Sequence, residues 1–411
     1  MRLLILTQYF PPEVGAPQNR LFELAIRLST VGVDVTILTA MPNYPKMIIH
    51  KKYKGKKYVY EEMEGLKIHR SSIYVSKDRS IVKRLLNYFS FVFSSLKIGL
   101  LKTGKYDFIL CESPPLFLGI SAYLLAKKKK AKLIFNVSDL WPESAEKLRL
   151  VTNRALLKIS TWLEEFLYRK STIVTGQTQG IVANIKNRFP EKAVYWLPNG
   201  VDLSYYDPSK YNSDWRSSHN FFADDFIFLY GGIIGYAQGL EVILNAANIL
   251  RDKSKIKFIL LGDGPEKERL IKIAEQLNLK SIYFYDPVSK LDMPNIVSAC
   301  TATIVPLKRL DLFKGAIPSK IFESLAMKKP ILLGVEGEAQ QLFIEEGKCG
   351  LFFTPDSETE LAAVILKMVD NPSLIAELGT NARKYVDQKF NRNEIAEDFY
   401  RLLNNELNTK I

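Results

Sequence analysis

The chain has 411 residues, of which 47% are hydrophobic and 25% charged, and its formal net charge is +13. This length predicts two or three domains, and the composition is that of an ordinary globular protein. Three cysteines lie far apart without metal or redox spacing, which favours a reducing cytoplasm. Three histidines, none at a ligand-like spacing, argue against a histidine metal site.

The first predicted element is the apolar run Arg2–Thr7. It is too short for a signal peptide and lacks a small-residue cleavage site, so it predicts a β-strand. Helical stretches, such as residues 19–29 and 115–126, then alternate with strand-like runs, which predicts parallel strands joined by right-handed crossovers. The further strands of the first half are predicted at Val33–Leu38, Leu66–Ser71, Asp107–Cys111, Lys132–Asn136, Thr172–Thr175 and Val194–Leu197.

Residues 81–101 form an aromatic-rich helical stretch with Lys83, Arg84 and Lys97 near its edges. Its uncharged part is too short to span a membrane. Two interpretations stay open, a core helix of the first domain and a helix lying in a membrane surface, and the flanking cations favour the second. Basic clusters in residues 46–57 and 127–132 also suit an anionic surface, and no nucleic-acid-binding motif accompanies them.

A polar, aromatic-rich interval at residues 205–225 is predicted to be a linker. The alternation then resumes, so the predicted fold is α/β with two doubly wound, Rossmann-like domains, residues 1–204 and 226–388. Residues 389–411 are expected to form a helix that packs back across the linker. The second-half strands are predicted at Phe226–Tyr230, Lys257–Leu261, Ile282–Phe284, Ala302–Val305, Ile331–Gly334 and Gly350–Phe353.

Glycine-bearing loops follow several predicted strands, at the edge where open α/β sheets bind ligands. Gly15 precedes the first helix, Gly232 and Gly235 lie in the loop after residue 230, and Gly262 follows residue 261. Each turn taken alone is more often structural, but their shared position favours contact with a ligand. The Gly-x-Gly-x-x-Gly fingerprint is absent from the first of these loops, which argues against a dinucleotide site there.

The segment 315–326 is the most informative part of the chain. Pro318 predicts the first turn of a helix, whose amides are expected to be unpaired and able to hold an anion. Lys320 and Glu323 are three residues apart and share one helical face. This pattern suits a nucleoside diphosphate, with the lysine near the phosphates and the carboxylate near the ribose hydroxyls. The alternative is an exposed Lys–Glu ion pair.

Seven motifs in order resemble those of retaining, nucleotide-sugar-dependent glycosyltransferases of the GT-B fold, family 4-like. Within them the chain is most similar to bacterial amino-sugar transferases of O-antigen, colanic-acid and capsule assembly. The motifs are Tyr9–Pro17, Met41–Pro45, Ser138–Ser144, Pro198–Asp202, Ala237–Glu241, Leu261–Pro265 and Pro318–Glu323.

The resemblance implies two domains facing across a cleft, with the acceptor bound by the first and the nucleotide sugar by the second. It implies transfer of an N-acetylated amino sugar from a UDP-sugar to a polyprenyl-diphosphate-linked saccharide at the inner face of the bacterial plasma membrane. It implies a cytoplasmic, peripheral enzyme with no metal, no cofactor and no nucleic-acid partner. Two alternatives stay open: a GT-B sugar-nucleotide epimerase, and an inactive glycosyltransferase-like scaffold.

The resemblance also implies residue roles. Glu323 matches the second glutamate of the family's Glu-x7-Glu element, which binds ribose, whereas Gly315 stands where the first is expected. Gly232 and Gln238 stand where the family commonly has Arg and Lys, so Lys320 is expected to supply the positive charge for the leaving diphosphate. The implied donor-binding residues are Gly15, Gly232, Gly235, Gln238, Gly262, Val288, Ser319, Lys320 and Glu323.

On the acceptor side the resemblance implies Asp139, with Glu13 and Arg20. Asp139, Lys320 and Glu323 are the predicted catalytic residues. Asp139 is expected either to orient or deprotonate the acceptor hydroxyl or to cap a helix that opens near Trp141. No pair of carboxylates suggests a covalent intermediate, so a front-face mechanism is expected, in which the leaving phosphate helps to accept the proton.

Overall fold

A computed structural model describes residues 1–13, 15–44, 46–78, 80–147, 151–211 and 214–408. The chain forms two compact units, Met1–Asn199 with Arg392–Ile411, and Gly200–Asn391. The sequence places these divisions at residues 204 and 388. The segment 205–225, predicted as a linker, contains a short 3-10 helix at Pro208–Lys210 and belongs to the second unit.

The first unit is built on an eight-stranded sheet within the part of the chain that the structure describes, in the order β3-β4-β2-β1-β5-β6-β7-β8. The strands are β1 Arg2–Leu6, β2 Asp34–Ala40, β3 Tyr58–Met63, β4 Leu66–Ser71, β5 Phe108–Ser113, β6 Lys132–Val137, β7 Ile173–Gly176 and β8 Val194–Trp196. The helices are α1 Ala16–Thr30, α2 Ile81–Lys102, α3 Leu118–Lys129, α4 Glu143–Lys147, α5 Arg154–Lys170 and α6 Gln179–Arg188, with a 3-10 turn at Lys51–Tyr53.

The edge strand β3 departs from the predicted all-parallel arrangement, because it pairs antiparallel with β4. Glu64 and Gly65 join the two strands with φ of 48° and 77°, the backbone that a tight two-residue hairpin requires. The β3 sequence Tyr-Val-Tyr-Glu-Glu-Met is half-exposed and polar on one face, so it lacks the apolar run of a buried parallel strand.

Helices cover both faces of the first sheet. On one face, α1 packs with the C-terminal helix α15, Arg392–Asn408, whose Phe399 and Leu403 are buried in the same core as Leu3 and Ile5 of β1. On the other face, Phe91 of α2 belongs to a buried core that also includes residues of α3, α5 and α6. The C-terminal helix therefore completes the first unit.

The second unit has a six-stranded sheet among the residues described, ordered β11-β10-β9-β12-β13-β14 and parallel throughout. The strands are β9 Phe226–Gly231, β10 Ile256–Leu261, β11 Ile282–Tyr285, β12 Ala302–Pro306, β13 Ile331–Gly334 and β14 Gly350–Phe352. The helices are α7 Trp215–Ser218, α8 Glu241–Ile249, α9 Lys267–Gln276, α10 Met293–Ala299, α11 Lys320–Ala326, α12 Glu338–Gln340, α13 Glu358–Val369 and α14 Pro372–Phe390. Short 3-10 helices span Tyr236–Gln238 and Asp311–Gly315, and a π-helix spans Gln341–Glu346.

Both sheets are doubly wound. In each unit the chain starts at a central strand, forms the strands on one side of it, and then returns to form the strands on the other side. The direction changes between β1 and β5 in the first unit and between β9 and β12 in the second. The loops that leave neighbouring strands in opposite directions open a crevice at such a point. Among the described helices, none has the length and apolar character that crossing a membrane demands.

Candidate functional site

Lys320 lies at the point where the second sheet changes direction. The loop after β9 carries Gly232, and α11 follows the loop after β12. The Lys320 ammonium lies 3.7 Å from the centroid of the Tyr230 ring. A Cβ built on Gly232 would lie 3.1 Å from the same nitrogen. The end of β9 and the start of α11 therefore meet around one cation.

Gly232 cannot easily be replaced by a larger residue in this arrangement. Its φ is 138°, which side-chain-bearing residues rarely adopt, and the Lys320 ammonium fills the space in front of it. An arginine at position 232, which the resemblance leads one to expect, would strain the backbone, and the Lys320 side chain would have to shift to make room for its Cβ. The positive charge at this point of the sheet is therefore carried by α11 instead of by the glycine loop.

The surroundings of the Lys320 ammonium disfavour its charged form. Burial lowers the pKa of Lys320 to about 7, and Glu323 opposes this shift only in part. Over the described ranges, the ammonium makes no hydrogen bond or ion pair, and the Tyr230 ring is its closest favourable contact. An anion that entered the crevice would supply the missing partner and raise the pKa again.

The start of α11 offers fewer free amides than the sequence predicts. The N–H of Ile321 donates to Pro318 at 3.1 Å, and that of Phe322 donates to Ser319 at 3.2 Å. The prediction that the first-turn amides are unpaired is therefore wrong for these two. Ser319 is the half-buried residue before the helix, and its side chain makes no capping hydrogen bond.

Apart from Gly15, which belongs to the first unit, the remaining predicted donor residues follow strands of the second sheet or lie in α11. Glu323 is half-buried, one turn after Lys320. The side-chain oxygen of Gln238 points toward Gly235 and would lie 2.9 Å from a Cβ built on that glycine. Val288 is 37% exposed in the segment after β11. Gly315 is exposed, and a Cβ there would meet no atom within 4 Å, so the missing first glutamate is not excluded by space.

Gly262 has a structural reason to be glycine. Its φ is 151°, and a Cβ would lie 1.8 Å from the carbonyl oxygen of Gly232. Backbone hydrogen bonds join the two loops on either side, from Gly232 to Leu261 at 2.9 Å and from Ile234 to Asp263 at 2.8 Å. The loop after β10 therefore supports the loop after β9 from behind and fixes the backbone that faces Lys320.

In the first unit, Glu13 and Arg20 are buried and engaged by the protein. The Glu13 carboxylate accepts backbone N–H groups of Phe10 at 3.1 Å, Asn43 at 2.7 Å and Tyr44 at 2.8 Å, and its burial raises its pKa. It thereby joins the loop after β1 to the loop after β2. An acceptor-side role for Glu13 stays a prediction.

Arg20 forms a buried ion pair with Glu112 at 2.7 Å and donates to the Ser138 hydroxyl at 2.7 Å. Asn136 and Ser138 also donate to the Glu112 carboxylate. This network links α1, β5 and β6 at the carboxyl edge of the first sheet. It gives Arg20 a positioning role that the sequence does not predict, and its predicted contact with an acceptor stays untested.

Asp139 is exposed just after β6, and α4 begins four residues later at Glu143. Its carboxylate accepts the Ser144 hydroxyl at 2.5 Å, which is a side-chain bond and not a cap on a backbone N–H. The other carboxylate oxygen has no protein partner in the described part of the chain. Gly15, the residue before α1, has an extended φ of 176°, which any residue can adopt.

Sequence reasoning missed two residues that shape these sites. Tyr230 lies near the end of β9, and the aromatic ring under Lys320 is signalled only by the one tyrosine of an apolar strand that also contains Phe226 and Phe228. Glu112 lies inside the buried run Phe108–Ser113, where a carboxylate needs a partner. That unexplained charge was the signal for the network with Arg20.

Two family models match the chain, one largely within each unit. The model described as Glycosyltransferase Family 4 matches residues 18–205, and the model described as Glycosyl transferases group 1 matches residues 212–385.

Two relatives align over nearly the whole chain. WcaI of Escherichia coli strain K12, named as a colanic acid biosynthesis glycosyl transferase, is 26% identical and covers 97% of this chain and 98% of its own. The O-antigen chain mannosyltransferase C of Escherichia coli is 19% identical over 100% of both chains. Among solved structures, Anabaena HepE in complex with UDP-glucose shares the fold, with a TM-score of 0.71 and 17% identity over 98% of this chain and 100% of that chain.

The contact between the two glycine loops predicts a large stability effect. We expect Gly262→Ala to destabilise the protein by several kcal/mol, because the new methyl group would overlap the Gly232 carbonyl and φ would be strained. Gly315→Ala, at an exposed position with open space, is the matched control and is expected to change stability by less than about 0.5 kcal/mol. Urea unfolding measures both, and equal effects of the two substitutions would contradict this account of the loops.

Proposed function

The chain is a glycosyltransferase with the GT-B fold, and we propose that it is a retaining, metal-independent enzyme that uses a UDP-sugar. In this proposal it transfers an N-acetylated amino sugar to a polyprenyl-diphosphate-linked saccharide during assembly of a bacterial surface polysaccharide. The observation that carries the proposal is the position of the Lys320 ammonium, which lies over the Tyr230 ring at the direction change of the second sheet and forms no ion pair within the residues described.

A nucleoside diphosphate suits this crevice for electrostatic reasons. The bond between the sugar and the β-phosphate breaks in the reaction, and negative charge grows on the leaving phosphate. A cation that is already desolvated interacts strongly with such charge, because little water has to be displaced. Glu323, one turn deeper, offers an acceptor for ribose hydroxyls, and the HepE complex with UDP-glucose supports the choice of a uridine nucleotide.

In the proposed reaction the acceptor oxygen forms the new glycosidic bond on the face that the phosphate leaves. The acceptor's proton passes to a leaving phosphate oxygen, so no protein carboxylate has to act as a nucleophile. The unpartnered oxygen of Asp139 supports a role in orienting the acceptor hydroxyl. The names of WcaI and of mannosyltransferase C support surface polysaccharide assembly, and the amino sugar rests on the motif resemblance.

We also propose that the enzyme docks on the inner membrane surface through α2, α3 and α5. These helices lie side by side on one face of the first sheet. They expose a group of large apolar side chains between lysines that include Lys97 and Lys158. The apolar group consists of Phe93 at 68%, Leu124 at 40%, Ile159 at 59% and Trp162 at 63% exposure. Such a face suits an anionic bilayer, where aromatic residues and lysines are stabilising.

The donor and the reaction type are tested by a screen followed by product analysis. We expect a UDP-amino sugar to raise the unfolding temperature above the value with UDP alone, because ligands that bind only the folded state stabilise it. We then expect transfer to a lipid-linked acceptor with retained anomeric configuration by NMR, unchanged by EDTA.

Each other outcome of the screen contradicts a stated part of the proposal. An inverted anomer contradicts retention, and loss of transfer with EDTA contradicts metal independence. Isomerised or hydrolysed donor without an acceptor indicates the epimerase alternative. Nucleotide binding without turnover on any lipid-linked acceptor indicates the inactive scaffold.

Lys320→Met is expected to lower kcat by about 10²–10³-fold, the loss seen when one transition-state charge donor is removed. Lys329→Met is the matched control, because burial also lowers the pKa of Lys329 but this residue follows the far end of α11. Lys320→Arg, which keeps the charge, is expected to retain more activity than Lys320→Met. Near-normal turnover of folded Lys320→Met would contradict the proposed role.

The pH dependence of the same variants separates charge from packing. The folded pKa of Lys320, about 7, lies below the ordinary value of 10.5, so this group makes the fold more stable as pH rises from 7 to 10.5. Lys320→Met is therefore expected to unfold at a higher temperature than wild type at pH 7.

The affinity of the wild type for the UDP-sugar is expected to fall above pH 7, by up to about tenfold per pH unit, because the charged form of Lys320 is lost. The affinity of Lys320→Met is expected not to change with pH over this range.

Membrane docking is tested by co-sedimentation with phosphatidylglycerol vesicles. The double variant Phe93→Ser/Trp162→Ser is expected to weaken binding by more than about tenfold, because each large side chain contributes about 1.5–3 kcal/mol when buried. Phe222→Ser, at 73% exposure in the second unit, is the matched control and is expected to bind like wild type. Equal binding of all three proteins would overturn the assignment of this face.

A further inference from the structure

A cavity separate from the crevice at Lys320 lies entirely within the first unit, beside the end of β1. Its volume is about 460 Å³, and its walls include Tyr9, Lys46, Lys77, Lys83, Arg84 and Asn87. Tyr9 follows β1 at the direction change of the first sheet, and Lys83 and Arg84 lie in the first turn of α2. The cavity is therefore placed where the first sheet would bind a ligand of its own.

The walls of this cavity are strongly positive. Four cationic side chains come from three separate segments of the chain, and none of them forms an ion pair within the described ranges. The one acidic wall residue, Asp78, is occupied locally, since its carboxylate accepts the backbone N–H of Ser80 at 2.9 Å and the Ser80 hydroxyl at 3.2 Å. Uncompensated charges around a concave surface attract a multivalent anion.

Neutral hydrogen-bond donors complete the cavity. Gln8 donates to the Tyr9 hydroxyl at 3.1 Å, which leaves the hydroxyl proton of Tyr9 available for a ligand. Asn87 holds this wall in place, since it accepts from Gln8 at 3.1 Å and donates to the Tyr74 carbonyl at 2.5 Å. The cavity thus combines flexible cations at its rim with a fixed polar floor, which suits phosphoryl oxygens.

An exposed apolar stripe starts at the same end of α2. Val82 is 65%, Leu86 47%, Phe93 68% and Leu100 41% exposed. At 100° per residue these four positions fall within about 40° of one line along the helix, over a length of about 27 Å. The first turn of α2 therefore carries the cationic wall of the cavity on one side and the beginning of the stripe on the other.

We propose that this cavity binds the diphosphate of an amphipathic prenyl diphosphate ester, with the hydrocarbon chain leaving along the stripe on α2. The inference rests on the proposed function in taking this ester as the acceptor, and it adds the site that holds the acceptor's charged group. A diphosphate fits better than a single phosphate, because cations from three segments surround the cavity and can contact both phosphoryl groups.

Calorimetry on the full chain with geranyl diphosphate, a soluble prenyl diphosphate, tests this proposal. Lys83→Gln/Arg84→Gln is expected to weaken binding at least about tenfold, because two charge-assisted contacts are lost. Lys54→Gln/Lys56→Gln removes the same charge from exposed, unpaired positions of the same unit outside the cavity wall, and is expected to stay within about twofold of wild type. Geranyl monophosphate is expected to bind wild type at least about tenfold more weakly than the diphosphate.

Three results would overturn the proposal. They are no binding of geranyl diphosphate to wild type, equal losses in the two double variants, and equal affinity for the monophosphate. If Lys83→Gln/Arg84→Gln weakens only binding to phosphatidylglycerol vesicles, the cations serve the membrane surface and not a diphosphate site. The temperature shift with UDP is expected to be unchanged in both double variants. If UDP fails to bind wild type while geranyl diphosphate binds, the donor assignment fails and the diphosphate site stands.

Discussion

The contact of the Lys320 ammonium with the Tyr230 ring and the backbone at Gly232 is the constraint around which the second unit is arranged. Burial disfavours the charged form of Lys320 more than Glu323 favours it, and the pKa of Lys320 is lowered as a result. The φ of 138° favours glycine at position 232, and the Gly232 carbonyl oxygen leaves no room for a Cβ at position 262. The crevice is therefore a fixed cationic wall whose charge becomes favourable when an anion binds.

At the carboxyl edge of the first sheet, in contrast, the buried charges have partners within the protein. Glu112 is satisfied by Arg20, Ser138 and Asn136, and the Glu13 carboxylate is satisfied by three backbone N–H groups. These buried networks hold loops in place and leave little charge for a ligand. Four cations without an ion pair in the described residues lie instead beside Tyr9, where α2 and neighbouring loops surround a cavity. Two cationic crevices, one per unit, suit a reaction whose donor and acceptor both carry diphosphates.

Much of this arrangement could be predicted from the sequence, because the signals are local. Apolar runs alternating with helical periods predicted both doubly wound folds, and the three-residue spacing of Lys320 and Glu323 predicted a shared helix face. Strand β3 was missed because its sequence is polar and its partner antiparallel. The Arg20–Glu112 contact joins residues 92 positions apart, and the cavity beside Tyr9 gathers side chains from distant loops, so the sequence does not show which residues meet.

The central claim is that Lys320 is a cation whose charged form is disfavoured until it binds the donor diphosphate. NMR titration of lysine side chains tests this claim most directly. The Lys320 signal, assigned with Lys320→Arg, is predicted to titrate with a pKa near 7 in the free protein. Saturation with a UDP-sugar that binds the protein is predicted to raise that pKa by more than about one unit, because the phosphates stabilise the charged form. A pKa near 10 in the free protein, or no change on donor binding, would contradict the account.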